Sequence, residues 1–69
     1  MKIWEGRLDD KYDAQVIPDG EQGRLQIFEK DHLILDEPVT LAYGARFGPD
    51  VEDVAAWQRR IIEFVDGRR

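Results

Sequence analysis

The sequence predicts an α+β fold, a small antiparallel β-meander with one C-terminal amphipathic α-helix packed on one sheet face. Three observations predict it: short runs of alternating apolar and polar residues fill positions 2–43, turn-forming residues separate them at close intervals, and an apolar stripe of helical period occupies positions 49–66. At 69 residues the chain has room for one hydrophobic core, so 1–69 reads as a single domain.

The first strand is read over residues 2–8, with Trp4, Gly6 and Leu8 on one side and Ile3, Glu5 and Arg7 on the other. Asp9-Asp10-Lys11 supplies a polar turn into a second strand over 12–17, where Tyr12, Ala14 and Val16 share a face. Pro18-Asp19-Gly20-Glu21-Gln22-Gly23 is the strongest loop, because proline presets φ and the glycines accept positive φ. A third strand over 24–29 points Leu25 and Ile27 inward, and Lys30-Asp31 turns directly into a fourth strand over 32–36 with Leu33 and Leu35 inward. Glu37-Pro38 interrupts the pattern, leaving 39–43 as a candidate fifth strand at the sheet edge. The stretch Ala42 to Gly48, with Tyr43, Arg46 and Phe47 among its glycines, reads as a connecting loop with bulky residues to place.

The helix, over 49–66, has Pro49 suited to its first position, Gly48 or Asp50 as cap, acids in its first turn, Arg59 and Arg60 later, and Gly67 as a stop. At 100° per residue, its apolar residues from Phe64 through Trp57, Ile61, Val54, Val65, Val51 and Ile62 to Ala55 span an arc of roughly 180°, against ~100° for a helix lying on one sheet. Gln58 falls near the middle of that arc, where burial demands a hydrogen-bond partner.

The formal charge of −5 argues against direct nucleic-acid binding, which draws on clustered cations. Arg59, Arg60, Arg68 and Arg69 form the one basic cluster, with Arg46 a distant candidate member, at a helix C-terminus where cations are favoured in any case. Serine, asparagine and cysteine are absent and arginine outnumbers lysine seven to three, a bias that suggests a GC-rich bacterial or phage genome. Without cysteine there is neither a disulfide framework nor a thiolate metal site, which fits a cytoplasmic setting. No apolar run has the length of a secretory signal or a membrane span, so the chain is expected to be soluble.

Catalytic parts are scarce. Thr40 and His32 are the single threonine and histidine, and no nucleophile–base triad can be assembled from them. Asp31, His32, Asp36 and Glu37 match no metal-ligand spacing, and the loop at 18–23 lacks the lysine and following helix of a phosphate-binding loop. The chain therefore reads as non-enzymatic, with no cofactor, metal or small-molecule substrate. The surplus is apolar surface: alternation that buries Leu33 and Leu35 sends Phe28 and Ile34 to the outer face, with Ile17 and one of Ile3 or Trp4 as further members of that patch, and Trp57, Phe64 and Ile62 lie on the overly broad helix arc. Trp4, Phe28, Ile34, Trp57, Phe64 and Ile62 are the interface candidates of a protein-interaction domain whose expected partner is a second copy of itself. The alternative reading is a small acidic inhibitor that occupies the nucleic-acid groove of a host enzyme.

Overall fold

A computed structural model describes residues 1–68. Four strands, β1 (Trp4–Leu8), β2 (Tyr12–Asp19), β3 (Gln22–Glu29) and β4 (His32–Val39), form an antiparallel meander in sequence order, and α1 (Val51–Arg68) covers one face. No helix among the described residues is long and apolar enough to cross a membrane.

Turn chemistry sets the registers. The β2–β3 hairpin closes through Gly20 and Glu21, with Gly20 at φ +65°, and pairs Asp19 with Gln22. This lets β2 run across Pro18 to Asp19, beyond the loop start read from sequence. β1 reaches only to Trp4 opposite Val16, so Pro18 has a single neighbouring strand, where a missing ladder donor is tolerated. The β3–β4 hairpin turns on Lys30 and Asp31, whose φ values of 49° and 70° are both left-handed.

Two expectations for the last strand are corrected. Pro38 does not interrupt it: β4 continues to Val39, because it is an edge strand and such strands accommodate proline. The separate fifth strand at 39–43 is therefore absent, and 40–47 forms turns and irregular backbone instead. A bulge between Ile27 and Phe28 pairs Ile27 with Leu35 but Phe28 with Leu33, which leaves Ile34 as the extra residue. The slip exchanges two faces: Ile34 packs against the core, while Leu33, expected inside, is 49% exposed on the outer face beside Phe28.

The core joins Tyr12, Ala14, Val16, Leu25 and Ile27 of the sheet to Trp57, Ile61 and Val65 of the helix, with Leu41 closing one end. Leu41 packs over Gly23, where an added Cβ would lie 3.1 Å from its Cδ1 and 2.9 Å from Val16 Cγ1. Helix α1 starts from a reciprocal cap in which the Glu52 amide donates to the Asp50 carboxylate and the Asp50 amide donates to Asp53 Oδ2 at 3.0 Å. Pro49 and Asp50 thus precede the helix, and Gly67 lies inside its last turn.

Candidate interaction surface

The helix is held on the sheet from its β4 side. Glu37 shares the core face of β4 with Leu35 and Val39, and Arg60 grips it with a two-pronged fork, Nε to Oε2 at 2.8 Å and Nη2 to Oε1 at 2.9 Å. The fork keeps the Glu37 carboxyl below the ordinary glutamate value, against the opposing effect of partial burial. Arg68 reaches Glu29 at the end of β3 at 3.1 Å, and the Arg60 and Arg68 guanidiniums each lie within 6 Å of the Phe64 ring. Phe64 is thereby covered from within its own chain.

The opposite flank has no such cover. Val51, Ala55, Gln58 and Ile62 follow one another along the helix at spacings of four, three and four, which places them on one stripe. Val51 is 82% exposed and Ile62 47%. Gln58 is also exposed, so the buried hydrogen-bond partner expected for it is not needed. The excess width of the apolar arc lies on this flank, while its other half is filled by Trp57, Ile61 and Val65.

Beneath the flank runs a groove of about 230 Å³ between the helix and β1, lined by Trp4, Gly6, Leu8, Gln58, Ile61 and Ile62, with Arg7 at its rim. Its floor depends on Gly6. The Trp4 indole folds over that glycine so closely that an added Cβ would meet Cη2 at 2.6 Å and Cζ2 at 2.8 Å. From there the ring packs on Trp57 at 5.7 Å between centroids, tilted by 53°. Trp57 itself is 3% exposed, so it builds the core and is not open to a partner, whereas Trp4 is half-buried at the seam.

The outer sheet face is polar. Lys2–Glu5, Arg7–Asp13, Arg24–Asp36 and Arg24–Asp19 pair across it, and Gln15 donates to Gln26 at 2.8 Å. Of the apolar patch expected there, Phe28 remains, half-buried, with Leu33 in the place of Ile34. On this face the acids Glu5, Asp13, Asp19 and Asp36 are each paired with a cation. Of the basic cluster, Arg60 and Arg68 flank the Phe64 ring and pair with sheet acids, Arg59 is exposed, and Arg69 lies outside the described residues.

His32 begins β4 and Thr40 follows its end, roughly 26 Å apart at ~3.3 Å per strand residue. Among the described residues no group of three or more His, Asp or Glu side chains could hold a metal ion; Asp36 and Glu37 point to opposite faces and are engaged by Arg24 and Arg60.

A second exposed feature is the loop before the helix. Leu41 anchors it through its amide, which donates to Gln22 Oε1, and the Ala45 amide donates to the Glu21 carbonyl at 2.8 Å. The Ala42 amide is held by the Asp53 carboxylate. With the backbone fixed this way, Tyr43 and Phe47 stand 68% and 77% exposed on either side of exposed Arg46. The sequence signalled bulky residues among glycines here but not that they would stay outside. It also concealed the roles of Gly6 and Val51, which depend on the packing of β1 under the helix. Comparison with protein-family models, curated proteins and solved structures finds no match to this chain.

Proposed function

We propose that this chain is a non-catalytic protein-interaction domain that works as a homodimer, in the cytoplasm of a bacterial or phage-infected cell. The observation that carries the reading is the exposed apolar flank of α1, Val51 and Ile62, with Ile62 lining the groove over β1. Two further quantities support it. A chain of this size buries only ~60% of its unfolded surface and has no disulfide to compensate, so a shared core adds stability that one copy lacks. An interface of ~800 Å² per partner would occupy about a sixth of the 4729 Å² surface.

Sedimentation equilibrium tests this directly. The expected result is a mass of two chains at tens of micromolar, falling toward the 8.1 kDa of one chain on dilution. A mass of one chain across that range refutes the homodimer.

A further inference from the structure

We infer that the second copy joins through the free edge of β1, pairing antiparallel with its own equivalent about a two-fold axis at Gly6; the inference rests on the homodimer reading and specifies its seam. The sheet has two edges, and they differ. β4 carries Pro38, the bulge at Ile34 and the adjacent charges Asp36 and Glu37, all features that discourage strand addition. β1 carries no proline, and its ladder to β2 is unbroken from Trp4 opposite Val16 to Leu8 opposite Tyr12. It is the edge able to accept a strand.

Symmetry then selects the register. A two-fold axis perpendicular to the sheet keeps both helices on one face and must pass through a residue paired with its own copy. Centring on Glu5 sets that carboxylate against itself, and centring on Arg7 sets two guanidiniums together and Glu5 against Asp9 of the other copy. Centring on Gly6 sets Glu5 opposite Arg7 and Arg7 opposite Glu5, so both outer-face pairs are of unlike charge. On the inner face the same register sets Trp4 opposite Leu8 twice, with the small Gly6 pair at the axis. The five-residue strand Trp-Glu-Gly-Arg-Leu is therefore complementary to itself when reversed.

The apolar flank of the helix fits this arrangement. Gln58 and Ile62 line the groove opposite Arg7 and Leu8 of β1, whereas the Arg60–Glu37 fork lies toward β4. Joining two β1 strands brings the two flanks together above the seam and covers Ile62 and the groove it lines. Among the described residues Glu5 and Arg7 are engaged in ion pairs only with exposed Lys2 and Asp13, which hold them weakly.

Charge reversal tests the register. Glu5→Arg places arginine against Arg7 at both symmetry-related positions, and Arg7→Glu places glutamate against Glu5; each variant alone is expected to dimerise at least about ten-fold more weakly than the parent chain. An equimolar mixture of the two restores unlike pairs at both positions and is expected to form a one-to-one heterodimer. The double variant Glu5→Arg/Arg7→Glu is expected to recover the homodimer. Circular dichroism melts establish that each variant is folded, and in the parent chain amide exchange in β1 should slow as concentration rises.

A parent dimer that Glu5→Arg leaves unchanged overturns the β1 seam while leaving the homodimer reading in place. Single variants that weaken association but neither pair in the mixture nor recover in the double variant overturn the Gly6 register. A parent chain that stays monomeric overturns both.

Discussion

The β3–β4 turn gives the sharpest test of the backbone geometry. Lys30 and Asp31 both occupy left-handed φ, 49° and 70°, a two-residue turn conformation that favours Asn-Gly. Such a conformation costs a residue with a Cβ roughly 1–2 kcal/mol, with aspartate and asparagine more tolerant than lysine. Asp31→Gly removes the steric cost but adds ~0.5–1 kcal/mol of unfolded-chain entropy, for a net gain of about 0.5–1 kcal/mol. Lys30→Asn contributes about another 0.5 kcal/mol through its better tolerance of this region. Among the described residues no hydrogen bond or ion pair involves either side chain, so the exchange gives up no contact. The sum, about 1–1.5 kcal/mol, corresponds to roughly 4–10 °C in a domain of this size. A far-UV circular dichroism melt of Lys30→Asn/Asp31→Gly against the parent, at matched concentration, reads it. An unchanged or lower midpoint would refute the left-handed assignment of the turn.

Four other outcomes follow from the same structure. The Glu29, Asp36 and Glu37 carboxyls are held below their ordinary values of 4.5, 3.8 and 4.5, chiefly by hydrogen bonds from Lys11, Arg24 and Arg60; the unfolded chain then binds more protons, so the melting midpoint should hold above about pH 5 and decline as pH falls through the carboxylate range. Glu37→Gln should cost about 1 kcal/mol at pH 7 by loosening the Arg60 fork and should flatten that decline, which melts at pH 7 and pH 3.5 will compare. Gly6→Ala must displace the Trp4 ring from contact distances of 2.6 and 2.8 Å, an overpacking cost of ~1–3 kcal/mol offset by under ~1 kcal/mol of entropy, so urea midpoints should fall. Leu41→Ala should cost ~2–4 kcal/mol by emptying a fully buried site, whereas Tyr43→Ala and Phe47→Ala should stay within ~0.5 kcal/mol of the parent.

The order of elements was legible because turn residues and periodicity act locally: Asp9-Asp10-Lys11, Gly20-Glu21 and Lys30-Asp31 close the three hairpins, and the Asp50 cap and apolar period mark the helix. What misled is long-range. Pro38 reads as a break unless β4 is known to be an edge, and the exchange of Leu33 with Ile34 depends on a bulge that alternation alone cannot signal. The overly wide helix arc correctly indicated more apolar surface than one sheet face covers, but which half would be left over depended on the Arg60–Glu37 fork, a contact between residues 23 apart in sequence. Trp57 reads as a surface candidate for the same reason, since periodicity places it on the arc without saying that Trp4 closes over it.

The placement of Trp4 against Trp57 also determines what light can report about this molecule. These are its two tryptophans, and both sit where β1 meets the helix, so intrinsic fluorescence and any exciton signal between the indoles register docking at that seam and are nearly blind to the β3–β4 hairpin. Far-UV circular dichroism averages over every peptide bond. If the domain unfolds in one cooperative step, the two signals trace one curve. Separation of the curves would identify the β1–α1 seam as a unit that opens independently of the rest of the sheet.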